Sequence, residues 1–128
     1  MGAWGVKSFE NDTAMDFLHD AKRLGHEYLT SVFREPKANS GKQLTARQAC
    51  IIIAGAELVA GKFGTQGDMP VEARRVLPMK ALSEDLQSPA RDAVSVALKT
   101  SELRDLWLET DSFEKWENDV LDLLERLK

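Results

Sequence analysis

The stretch ARQACIIIAGAELVAGKF (46–63) limits what this chain can fold into more than any other. Ala49, Ile52, Ile53, Ala56, Val59, Ala60 and Phe63 recur at helical spacing and mark one stripe. Ile51, Ala54 and Leu58 make the opposite side apolar as well. A helix that is apolar all round has no face to offer water, so it belongs at the centre of a bundle. Thr45 and Gln48 form a capping box that starts it. GKFGTQG then supplies glycines able to take the left-handed conformation that ends it, at about Lys62.

Other segments carry the same periodicity. Ala14, Phe17, Leu18, Ala21, Leu24, Tyr28, Leu29 and Val32 mark a first helix, with Asn11 or Asp12 as its N-cap and Gly25 as a point of break or bend. REPKANSGKQ (34–43) reads as a loop, because Pro, Asn, Ser and Gly fall together. Asp68 with Pro70 opens a short helix that Pro78 closes, and another short helix is expected over 79–87. Ser88-Pro89 caps the next, which has Ala90, Ala93, Val94, Ala97 and Leu98 on one face. Ser101 opens SELRDLW. Asp111 with Glu114 opens the last helix, striped by Phe113, Trp116, Val120, Leu123, Leu124 and Leu127. No run alternates with period two. The expected fold is all-α: one domain over residues 1–128, a compact bundle of five to seven helices.

Charge narrows the function classes. Residues 1–64 carry eight Lys/Arg against seven Asp/Glu, and residues 65–128 carry nine against fourteen, which gives the net charge of −4. A nucleic-acid surface needs the opposite balance, so no nucleic-acid partner is expected. The acidic half suits a basic protein partner. No segment approaches the ~20 apolar residues of a membrane span, and the N-terminus lacks the pattern of a signal peptide. The single cysteine, Cys50, lies in an apolar run and has no partner within the chain. A cytoplasmic setting is expected.

Three groups of residues are candidates for function. In MGAWGVKSFENDTAMDF, Trp4 reads as an apolar peg, Gly2 and Gly5 as turn formers, Phe9 as a staple, and Asn11 and Asp12 as caps. Trp4, Asn11, Asp12 and Asp16 alternatively line a pocket. Glu57 is the only charged residue between Arg47 and Lys62. A carboxylate there needs a partner, for which Arg104 is the candidate, or else it is an acid/base group with a raised pKa. Trp107 and Trp116 lie on apolar stripes; an exposed ring there would be an interface anchor, rimmed by the nine acids and four bases of residues 101–128. Asp16 and His19 share a helix face, but no further ligands complete a metal set. GAELVAGKFG has five residues between its glycines where a phosphate loop needs four, and Phe63 stands where Ser or Thr is required. Neither a metal nor a cofactor is expected.

MGAWG…F.ND.A.D, carried by Gly2, Ala3, Trp4, Gly5, Phe9, Asn11, Asp12, Ala14 and Asp16, and the later Ser101, Glu102, Leu103, Arg104, Leu106, Trp107 and Trp116, together with Glu57 in AELVA, resemble a bacterial family known as domain of unknown function 4259. Lys7 stands where members often carry a second glycine. The resemblance implies a small helical domain in bacteria, with no established activity to carry over.

Two functional expectations fit these residues. The first is a protein-binding accessory module, with the general profile of a bacterial immunity protein, that uses an acidic helical surface. The second is a carboxylate-dependent enzyme, metal-assisted or not, with Asp12, Asp16 and Glu57 converging on one pocket.

Overall fold

Asn11 begins the helical part of the chain by accepting a hydrogen bond from the Ala14 N–H at 2.7 Å, the usual remedy for the free donors of a first turn. In the computed structural model, which describes residues 3–39, 41–78 and 82–128, the chain then forms seven α-helices: α1 (Asp12–Leu24), α2 (His26–Ala38), α3 (Ala46–Phe63), α4 (Val71–Arg74), α5 (Gln87–Thr100), α6 (Glu102–Leu108) and α7 (Phe113–Arg126). A single 3₁₀ turn, Glu84–Leu86, leads into α5. Among the described residues the only β pairing is an isolated antiparallel bridge between Ala3 and Asn11. The chain is the all-α bundle that its periodicity predicts.

The centre is α3. Every residue from Ala49 to Ala60 except Ile51 is buried, and the helix packs against α1, α2, α5, α6 and α7. Its start is the predicted capping box. The Thr45 hydroxyl accepts from the Gln48 N–H at 3.1 Å, and the Gln48 side-chain oxygen accepts from the Thr45 N–H at 2.9 Å. Gly55 brings the ring ends of Phe17 and Phe33 onto the helix; a Cβ there would lie 3.3 Å from Phe33 and 3.4 Å from Phe17. Gly25 separates α1 from α2 at φ +79°, a conformation that costs an L side chain energy. Ser101, fully buried, links α5 to α6: its hydroxyl donates to the Ala97 carbonyl at 2.6 Å and accepts from the Arg104 N–H at 3.1 Å.

Local propensity misleads in five places. The segment 34–38 is helical, not looped, because α2 runs through Pro36 to Ala38. Its end is held by tertiary hydrogen bonds from the Gln48 amide to Glu35 at 3.0 Å and from Asn39 to the Gln48 side-chain oxygen at 3.1 Å. These offset the hydrogen bond that Pro36 cannot make. The short helix expected over 79–87 falls partly on residues 79–81, outside the described residues; of the rest, only Glu84–Leu86 is regular, as the 3₁₀ turn, before α5 begins at Gln87. Helix α5 starts at Gln87 with no side-chain cap, so Ser88-Pro89 lies inside its first turn. Helix α7 is preceded by Ser112, not capped by Asp111.

The fifth is Trp4, whose indole is exposed (61 %) rather than buried. Ala3 is bridged to Asn11 and packs on the core. In an extended segment the next side chain points the other way, which sends Trp4 outward. The N-terminal strap is pinned instead by buried Phe9 and by Ala3 and Val6, partly buried against the core. Its turn is closed by Trp4 N–H to the Glu10 carbonyl and Glu10 N–H to the Lys7 carbonyl, both at 3.0 Å. Gly5 leaves room for the Glu10 carboxylate, which a Cβ there would meet at 2.5 Å. Gly2 lies outside the described residues.

Phe9→Ala is therefore expected to destabilise the fold by about 3–5 kcal/mol, and Trp4→Ala by no more than about 0.5 kcal/mol, both read from urea unfolding curves. A larger loss at Trp4 than at Phe9 would contradict this account of the strap.

Candidate functional site

Glu57 reaches α7 from the middle of α3. It is 2 % exposed and is held by Arg126 through two hydrogen bonds, of 2.5 and 3.2 Å. The Arg126 Nε–H donates to Asp122 at 2.8 Å, and the Arg126 carbonyl accepts from the Thr65 N–H at 3.1 Å. Gly67 leaves space for the guanidinium, which a side chain at that position would occupy. Burial alone would lower the Arg126 pKa; the hydrogen bonds and charges of Glu57 and Asp122 outweigh it and hold the pKa above its ordinary value. The predicted partner, Arg104, lies elsewhere, with its guanidinium over the Phe113 ring at 5.0 Å. Glu57 sits in the C-terminal half of α3 and faces the end of α7, whereas Arg104 belongs to the first turn of α6.

Asp119 lies on α7 between this pair and the strap. Its side chain is 18 % exposed, and among the described residues it makes no hydrogen bond. Its nearest cation is Lys7 Nζ at 4.0 Å, and that ammonium is closer to Asp68, at 3.2 Å. Burial, followed by the charge of Glu57, pushes the Asp119 carboxyl up to about 6 against the opposing pull of Lys7 and Arg126. Lys7 itself is raised, chiefly by its hydrogen bond to Asp68 and by the charge of Asp119.

Three recesses meet at Lys7. Beneath the strap is a cavity of about 20 Å³, lined by Ser8, Asn11 and Asp119 together with Cys50, Ile53, Trp107 and Trp116. Beside it is an acidic cleft of about 270 Å³ bordered by Glu57, Asp68, Asp119, Asp122 and Arg126. Outside the strap is a wider cleft of about 410 Å³ formed by Trp4, Phe9, Met15, Met69 and Pro70, with Glu10 and Asp68 on its rim.

A family model described as Domain of unknown function (DUF4259) matches residues 2–119. The chain belongs to this family. No curated protein and no solved structure matches it. The DUF4259 match spans the strap, Glu57 and Asp119, and ends before Asp122 and Arg126.

Within this DUF4259 domain the candidate residues scatter. Asn11 caps α1 and lines the cavity. Asp12 and Asp16 are exposed on the side of α1 opposite Ala14, Phe17, Leu18 and Ala21, which face the core. Among the described residues, neither borders any of the recesses above with Glu57, so the structure does not bring these three carboxylates together there. His19 is exposed beside Lys22 and Arg75, and among the described residues no three His, Cys, Asp or Glu side chains gather as a ligand set. Trp107 (8 %) and Trp116 (2 %) are core residues, not interface anchors, because both stripes turn inward. Burial pushes the Cys50 thiol up to about 11, far from a reactive thiolate. Sequence reasoning passed over Ser8 and Asp119, and it weighed Lys7 only as a missing glycine. The available signal was the spacing of Asp119, Asp122 and Arg126, which puts all three on one side of α7.

In the folded chain the Asp119 carboxyl keeps its proton up to about pH 6, while the ordinary group releases it near 3.8. The folded state therefore binds the extra proton between those values, and stability falls as pH rises through them. Asp119→Asn is expected to raise the unfolding free energy at about pH 7.5 by on the order of 1–3 kcal/mol, with the gain vanishing by about pH 4. Arg126→Met strands the Glu57 charge and should cost about 3–5 kcal/mol. Chemical denaturation across that pH range measures both.

Proposed function

We propose that this chain is a protein-binding module that captures a basic partner on the surface around Trp4. The observation that carries the reading is the exposed indole, fixed by the Ala3–Asn11 bridge and the Trp4–Glu10 backbone bond rather than hanging from a loose tail. Tryptophan is the residue type most enriched among binding hot spots. Met15 and Met69 beside it offer adaptable apolar contact.

Charge selects the partner. Glu10, Glu57, Asp68, Asp119 and Asp122 border the two outer clefts against Lys7 and Arg126. Glu102, Asp105 and Glu109 on and beside α6 and Glu114, Asp122 and Glu125 on α7 are exposed, with Leu106 and Leu121 exposed among them. Such a field speeds the approach of a basic protein and sets its orientation. We place the module in the bacterial cytoplasm, as an accessory protein that holds its partner in the way immunity proteins hold theirs. Catalysis by carboxylates finds no support in the placement of Asp12, Asp16 and Glu57.

The test is affinity capture from a bacterial lysate with three baits: wild type, Trp4→Ala and Glu10→Lys/Asp68→Lys. A specific partner should be retained by wild type, be lost about tenfold or more from each variant, and elute as salt rises from about 0.05 to 0.5 M. A partner held equally by all three baits, or no partner at all, overturns the proposal.

A further inference from the structure

We propose that the cavity beneath the strap is a binding site for a primary ammonium group. Two polar side chains on its wall, one buried and one partly exposed, make no hydrogen bond among the described residues. The Ser8 hydroxyl is buried (6 % exposed) and makes no hydrogen bond. The Asp119 carboxylate makes none among the described residues, and Lys7, 4.0 Å away, is drawn off to Asp68. Buried polar groups are paired as a rule, so the unpaired Ser8 hydroxyl calls for a partner inside the cavity, and the partly exposed Asp119 carboxylate, held only by Lys7 at 4.0 Å, favours a donor that carries charge. Asn11 lines the same cavity, and its side-chain oxygen keeps a lone pair beyond the one engaged by Ala14.

Size and wall chemistry narrow that donor. About 20 Å³ accommodates one water-sized group. An –NH₃⁺ head meets that limit, and a planar guanidinium of four heavy atoms does not. Ser8 and Asp119 both accept, an ammonium donates three hydrogen bonds, and indoles such as Trp107 and Trp116 favour a cation over an anion. The acidic cleft adjoins the cavity at Asp119, and its four carboxylates outnumber the cations Lys7 and Arg126, so its net field favours cations at the mouth. The inference concerns a site inside the strap and does not depend on a partner docking outside it at Trp4.

The test uses ¹⁵N-labelled protein at about pH 7.5, where Asp119 is charged, titrated with methylammonium chloride against a potassium chloride control. The Trp107 and Trp116 indole N–H signals are expected to shift saturably while the Trp4 signal stays in place. Guanidinium at the same concentration should leave all three unmoved. Asp119→Asn should weaken the response at least about tenfold, and Ser8→Ala, which removes only a hydroxyl, several-fold. A lysine blocked at both backbone ends distinguishes the sources. If it reproduces the shifts, the ligand is a lysine side chain of another protein; if only methylammonium does, it is a free small amine. The proposal is overturned by no saturable shift, by an equal response to guanidinium, or by an undiminished response in both variants.

Discussion

Glu57 sits on the one helix that water hardly reaches, and the arrangement of one whole end of the bundle depends on neutralising it. A lone carboxylate at that depth would cost several kcal/mol. Arg126 supplies the counter-charge, which obliges the end of α7 to lie against the C-terminal half of α3. The loop after α3 then has to pass close by, and it does: Thr65 bonds the Arg126 carbonyl and Gly67 makes way for the guanidinium. The start of α5 is drawn into the same region, where the Gln87 amide donates to the Phe63 and Leu127 carbonyls at 3.4 and 3.3 Å. A single buried charge thus sets the positions of four segments.

The same charge shapes the neighbouring site. Glu57 has no room for a second carboxylate nearby without penalty, yet Asp119 is there. Part of that penalty is what pushes its proton affinity upward. Lys7 does not cancel it, because the strap carries the ammonium toward Asp68. An acid that is neither well solvated nor well paired is the usual mark of a functional position, since structural pairs tend to be completed.

Much of the fold was legible because helical periodicity and capping are local. The capping box at Thr45, the cap at Asn11, the break at Gly25 and the burial of α3 all depend on residues within a few positions of one another. Where sequence reasoning failed, distant groups decided. The end of α2 is held across Pro36 by Gln48, and the partner of Glu57 lies 69 residues away. Trp4 failed for another reason: size argued for burial, but a bridge through Ala3 fixed which neighbour faces inward. Of the site, Asn11 and Glu57 were recognisable as out of place in their local context. Ser8, Lys7 and Asp119 look like ordinary surface residues until the strap folds over α7.

The position of Cys50 carries a consequence of its own. The thiol lines the cavity that the strap covers, with only 7 % of the residue exposed. Burial disfavours the anion through which the thiol would react with oxidants. Its sulfenylation is therefore slowed by the same packing that holds Ala3, Val6 and Phe9 against the core.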